Sequence, residues 1–194
     1  EKSRKLLAKV KVSGGGRCNV TNGCDSIKEL AEAYPRGSGP LKKAFRTFNN
    51  KDAMQWFESR GVPLVTQDDG CVFPESQNSQ SIIDCLLGEA IRLKINIETG
   101  MGVTTIQPRD GKLELSFAKE GEAPEIFDKV IVTTGGSPKR DGLVWLEKLQ
   151  HKIEDPVPSL FTFKMPNEPV ADLMGIVVEK AAVSIQGSKF KAEG

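Results

Sequence analysis

The string Ser13-Gly14-Gly15-Gly16-Arg17-Cys18-Asn19, with Thr21 and Asn22 close behind, concentrates more chemistry than any other stretch of these 194 residues. Three consecutive glycines are costly inside a helix or strand, because glycine loses more backbone freedom on folding than any other residue. They suit a loop that passes close to something. That is either an ordinary tight turn of the protein itself, or a turn whose backbone N–H groups approach an anionic or planar ligand. Arg17 adds a permanent cation able to pair with a phosphate or with negative charge developing on a ligand. Asn19, Thr21 and Asn22 add donors and acceptors for a polar ring edge. Cys18 has no second cysteine placed to resolve it, so a small packing role suits its thiol better than redox chemistry.

A second candidate lies at Thr134-Gly135-Gly136, directly after the apolar run Val130-Ile131-Val132. Such a run reads as a strand buried on both faces. In an open α/β sheet, ligands rest at the carboxyl ends of such strands. The single imidazole, His151, follows an expected helix, where it suits the helix end, so it is assigned no catalytic role. The four cysteines form no C-x-x-C pair. With one histidine, that spacing argues against a zinc site. Four cysteines in a chain of this size also argue against a disulfide framework, and reduced thiols are expected.

The elements that would position these residues can be read from periodicity. Helical spacing appears over 26–34, and one amphipathic stretch runs over about 41–60. A longer helix is expected over 79–93, with Ile82, Ile83, Leu86, Leu87, Ala90 and Ile91 on one face. Extended segments are expected at 62–65, 71–74, 95–98, 103–107, 112–118 and 126–134. Gln67-Asp68-Asp69-Gly70 and Arg109-Asp110-Gly111 supply turns. A further helix is expected over 141–150, and alternating segments at 159–165 and 176–186 open a β-rich unit. The order of these elements predicts the second half of an α/β dinucleotide fold, with a parallel strand, a meander and a closing buried strand. No G-x-G-x-x-G fingerprint occurs, because Asn19 stands where the third glycine of Gly14-x-Gly16-x-x would be.

Composition bounds the rest. With 38% apolar and 27% charged residues the chain is a globular mixture. It has no apolar run of about 18 residues, as a membrane helix needs, and no secretory signal pattern, so a cytoplasmic location is expected. The net charge of +1 hides an asymmetry: residues 1–60 carry 13 Lys and Arg against 6 Asp and Glu, and the remainder carries 14 against 20. A basic first third admits an anionic ligand or nucleic acid as well as a merely solvated face. The alternative to an enzyme is therefore an RNA-binding module. Its candidate patch is Lys42, Lys43 and Arg46 beside Phe45 and Phe48, although no RNA-binding motif matches.

Four stretches together carry a family likeness. They are Ser13-Gly14-Gly15-Gly16-Arg17-Cys18-Asn19-Val20-Thr21-Asn22, Asp68-Asp69-Gly70-Cys71-Val72-Phe73-Pro74, Asp128 through Gly136, and Pro158-Ser159-Leu160 followed by Leu173-Met174-Gly175. In order and spacing the chain resembles the HI0933-like flavoproteins, also described as BaiN/aminoacetone-oxidase-like. Cys71 stands where the family carries arginine, and Ser137-Pro138-Lys139-Arg140-Asp141-Gly142 is shorter than the glycine-rich loop of many relatives.

The resemblance implies an incomplete FAD-binding, glutathione-reductase-like Rossmann domain over 1–158, with a helical segment at about 26–93, and the beginning of a β-rich substrate-side domain over 159–194. The G-x-G-x-x-G unit with which the family begins is absent from these residues, so the chain reads as an interior part of such a protein, inactive by itself and not expected to hold FAD alone. The resemblance also implies flavin-mediated hydride transfer in the intact protein. Its cofactor-binding residues would be Glu1, at the adenosine ribose, Gly14, Gly15, Gly16, Arg17, Cys18, Asn19, Thr21, Asn22, Val103, at the adenine, and Thr134, Gly135 and Gly136. As a chain end, Glu1 is expected to rotate freely. Substrates implied by relatives range from small molecules to an RNA base, with NAD(P)H as the electron donor. An open sheet edge would favour a dimer.

Overall fold

The computed structural model describes residues 1–34, 37–137, 139–156, 164–173, 178 and 180–193. They pack as two units, Glu1–Val132 and Thr133–Gly194. The expected domain boundary at 158 lies outside the described residues.

In the first unit the helices begin where the sequence offers caps. Helix α1 spans Ala8–Val12. Helix α2, Ile27–Glu32, starts at Ser26, whose side chain accepts from Glu29 N–H. Helix α3 is Ser38–Phe45. Helix α4, Asn50–Glu58, opens on a capping box: Asn49 accepts from Asp52 N–H and the Asp52 carboxylate accepts from Asn49 N–H. Helix α5, Ser79–Arg92, starts at Asn78 and buries Ser79, Ile82 and Ile83, the spacing of one helical face. Ser79 Oγ donates to the Lys11 carbonyl at 2.9 Å and Lys11 Nζ to Gln80 Oε1 at 3.0 Å, tying α1 to the start of α5. Cys18, Val62 and Ile82 form a buried core, with Val10, Val20, Phe57, Leu64, Cys85 and Leu86 packed around it.

Two antiparallel sheets complete this unit. Strands β1 (Thr21–Asn22), β2 (Leu64–Thr66) and β3 (Cys71–Pro74) lie in the order β1-β3-β2. Val72, Phe73 and Pro74 are buried. Strands β4 (Val103–Arg109), β5 (Lys112–Phe117) and β6 (Glu125–Phe127) form a meander, in which Ile106 and Leu115 are buried. The Asp110-Gly111 turn takes positive φ at both residues, the twist a two-residue hairpin favours. The second unit holds helix α6, Val144–Glu147, and a hairpin of β7 (Ala182–Ser184) with β8 (Lys191–Glu193). Among the described residues no helix is long and apolar enough to cross a membrane.

The fold is mixed α and β, as expected, but several expectations are corrected. Every strand pairing among the described residues is antiparallel, so the parallel strand is not found. Val130-Ile131-Val132 is not a strand: β6 ends at Phe127, Ile131 is 87% exposed and Val132 is 42% exposed. A strand buried on both faces needs hydrogen-bonded neighbours and covering helices, and among the described residues no strand pairs with it. Residues 95–98 are also irregular, and Ile95 and Ile97 are exposed. The amphipathic stretch 41–60 is two helices, because the Asn49 cap starts a new one. The expected helix at 141–150 shrinks to a 3-10 turn, Arg140–Gly142, followed by α6. Residues 159–163 and 174–177, on which part of the β-rich expectation falls, lie outside the described residues.

Candidate functional site

The signature string folds into a tight turn between α1 and β1. Gly14, Gly15 and Gly16 all take positive φ, at 54°, 67° and 86°, and Cys18 follows at 65°. Backbone bonds from Arg17 N–H to Gly14 O and from Cys18 N–H to Ser13 O close it. The three glycines serve different ends. A Cβ on Gly14 would lie 2.7 Å from Asn19 N and 2.9 Å from the Phe73 ring, so Gly14 permits close packing inside the protein. A Cβ on Gly15 would meet nothing within 4 Å, and one on Gly16 only the Lys11 carbonyl, at 4.0 Å. Their α-carbons face open space.

Arg17 is fixed beside this turn. Its guanidinium stacks on Phe73 at 4.0 Å from the ring centroid. It donates to Gly14 O, Gln67 Oε1 and Gln77 Oε1 at 3.3–3.5 Å. Among the described residues it has no carboxylate partner within ion-pairing distance. A cation held by neutral acceptors and an aromatic face keeps its charge available for an anion. Phe73 itself is 3% exposed, so the ring beneath the guanidinium is packed into the protein.

The rest of the string is bound to the β2–β3 hairpin. Asn19 Oδ1 accepts from Val72 N–H at 3.3 Å and Val20 N–H donates to Val72 O at 2.8 Å. Thr21 pairs with Val72 and Asn22 with Cys71. Asn22 Oδ1 accepts from Cys24 N–H, and Gly23 N–H donates to Gly70 O. At the hairpin tip, hydrogen bonds from Cys71, first its N–H and then its thiol, hold the Asp69 carboxyl below its ordinary value. The Asp69 carboxylate in turn pushes the Cys71 thiol up, while the Asn19 amide and the Arg17 charge act the other way. Cys18 is 8% exposed with its thiol in the core, and all four cysteines are free.

The other expected residues fall into separate groups. Glu1 is held to the segment that precedes Val103, about a hundred residues away in sequence. Met101 N–H donates to Glu1 O at 2.9 Å, the terminal ammonium of Glu1 donates to Glu98 O, and Gly102 leaves room for the Lys2 side chain. Glu1 is not free to rotate as expected: its carboxylate accepts from Ser3 N–H at 2.8 Å, and Ser3 holds its carboxyl below the usual value. Val103 opens β4 and is half exposed. Thr134, Gly135 and Gly136 belong to the second unit, in an exposed irregular segment, with Gly135 at φ 78°.

Sequence reasoning missed Gln67, Gln77 and the Phe73 platform, which together aim Arg17. Gln67 stood only as a turn residue and Phe73 as part of an apolar strand and of a family-like stretch, and neither signals a role toward a cation fifty or more positions away. It also missed Asn50, a buried polar side chain discussed below.

Comparison with known proteins identifies the family. The family profile described as "HI0933-like protein Rossmann domain" matches residues 1–187. A curated relative, the 3-dehydro-bile acid delta(4,6)-reductase of Clostridium scindens, is 24% identical over 201 aligned positions. The alignment covers 100% of this chain and 47% of that protein, so the chain spans about half the length of the relative it matches. With nearly its whole length matched, this chain belongs to the HI0933-like Rossmann domain family.

Proposed function

We propose that the chain contributes the flavin-facing turn of an FAD-dependent oxidoreductase. The observation that carries this reading is the pairing of an open glycine turn at Gly15 and Gly16 with a fixed guanidinium that, among the described residues, forms no ion pair with a carboxylate. This combination fits a flat group that gains negative charge on reduction. FAD, when bound, supplies the hydride chemistry. The chain's residues supply position and charge. Gly15 and Gly16 let backbone approach a ring face without a Cβ in the way. Arg17 stabilises negative charge beside that turn. The side chains of Asn19, Thr21 and Asn22 line the polar edge, and Cys18 contributes backbone alone, since its thiol is in the core. Glu1 and Val103 suit the adenosine end; in the second unit, Thr134, Gly135 and Gly136 present exposed backbone.

The named relative is a reductase, and reduction of a substrate with NAD(P)H as electron source is the direction we propose. The substrate is a small molecule or an RNA base. The 194 residues contain no G-x-G-x-x-G, the loop that places a diphosphate at a helix N-terminus. We therefore propose that they retain no stoichiometric flavin by themselves. The test is FAD titration of the full-length protein, followed by absorbance. Asn19→Ala is expected to weaken binding by about 0.5–1.5 kcal/mol, the worth of one hydrogen bond. Unchanged affinity in Asn19→Ala, or no FAD uptake by wild type, contradicts the reading.

A further inference from the structure

Asn50 is the first residue of α4 and is 6% exposed. Burying an amide is unfavourable unless its hydrogens are used. Here both have partners on the segment that leaves the signature string: Nδ2 donates to Asn22 O at 2.7 Å and to Cys24 O at 2.8 Å, and lies 3.8 Å from Cys24 Sγ. Two carbonyls two residues apart are thus gathered onto one nitrogen. The same segment is held from its other side by Gly23 N–H to Gly70 O and internally by Cys24 N–H to Asn22 Oδ1, both 2.8 Å. The latter bond fixes the Asn22 side chain through its own oxygen. The donor is itself well anchored, because the Asn49–Asp52 capping box sets the backbone at the start of α4.

We infer that Asn50 is a positioning residue, which clamps Asn22–Cys24 between α4 and the β2–β3 hairpin and so aims the Asn22 amide, along with Thr21 beside it, at the cofactor. The cofactor part of this inference rests on the flavin reading above; the clamp stands on the geometry alone. Glutamine carries the same amide but one methylene further out. Leucine fills the volume with no donor, aspartate keeps the shape but presents oxygens to two carbonyls, and serine has a single hydrogen.

The experiment uses the full-length protein with Asn50→Leu and Asn50→Asp. Amide hydrogen exchange of peptides covering 20–25 reads the clamp without flavin, and FAD titration with absorption spectra reads its consequence. Loss of the clamp predicts that Gly23 and Cys24 amides exchange on the order of tenfold faster in both variants, while amides of β4 and β5 keep their protection. FAD affinity then falls several-fold and the flavin absorption band shifts. Unchanged exchange at 20–25 overturns the clamp. Faster exchange with an unaltered flavin affinity and spectrum overturns the positioning role and leaves Asn50 structural. If Asn50→Leu does not fold, Asn50→Asp alone decides both points. A wild-type protein that takes up no FAD overturns the flavin reading and with it the cofactor half of this inference, whereas the exchange measurement still decides the clamp.

Discussion

Gly14 and Gly15 are neighbours with nearly the same left-handed backbone, yet their surroundings differ, and that difference is measurable. An alanine in left-handed conformation costs about 1–2 kcal/mol, and this is the expected cost of Gly15→Ala, whose methyl meets nothing. Gly14→Ala adds overlap with Asn19 N and the Phe73 ring, and overpacking of this kind costs about 1–3 kcal/mol more. Urea unfolding of the two variants is expected to rank Gly14→Ala well below Gly15→Ala. Equal destabilisation contradicts the division of labour between a packed glycine and an open one. At this scale much of the site was legible. The glycines, the cation and the amides were visible as types, because chemistry follows residue identity. What holds them was not. Gln67, Gln77 and Asn50 act through one or two side-chain hydrogen bonds across 26–60 positions, and no local pattern encodes such a contact.

Among the elements, the long helix α5 and the hairpins were read more accurately than the isolated apolar run 126–134, for a physical reason. A helix carries its hydrogen bonds and its caps within itself, so Asn78 and the Ile82-Ile83 face already specify α5. A strand is completed by its neighbours. The run Val130-Ile131-Val132 has the composition of a buried strand, and yet Ile131 and Val132 are exposed, because burial depends on partners its own residues do not supply. Hairpins fared better, since Asp110-Gly111 encodes its own turn. The junction of α4 with α5 carries its own prediction. Glu89 accepts from Arg92 and pairs with Arg60 at 3.0 Å, and these bonds, Arg92 first, lower its carboxyl from 4.5 to about 2. A depressed carboxyl contributes stability above its unfolded value and loses that contribution as pH falls through the folded value. The urea midpoint is therefore expected to drop between about pH 4.5 and pH 2, with Glu89→Gln showing a shallower drop across the same window. A wild-type slope identical to that of Glu89→Gln contradicts the assignment.

For the molecule as a whole, Val12, Ile91, Leu93, Ile95 and Ile131 are each more than half exposed. Apolar side chains exposed in such number favour association where they adjoin in one patch. Sedimentation of the 194-residue chain is expected to show dimers or larger species, and a strictly monomeric chain with these residues exposed contradicts that expectation. In the proposed function the signature turn, with Arg17 stacked on Phe73, faces the flavin of the intact protein. Removing that cation should slow reduction more than it weakens cofactor binding, because the diphosphate grip lies elsewhere in such folds. Loss of one preorganised group at a site of developing charge commonly costs about 2.7–4 kcal/mol of barrier in water-excluded sites, and a partly open turn belongs at or below the lower end. The direct measurement is anaerobic flavin reduction by NAD(P)H in full-length wild type and Arg17→Ala, with FAD affinity measured alongside. The expected result is a reduction rate lower by up to about a hundredfold, the equivalent of about 2.7 kcal/mol, with only a modest loss of affinity. Matching wild-type and Arg17→Ala rates and affinities would show that the turn is structural and that the flavin lies elsewhere.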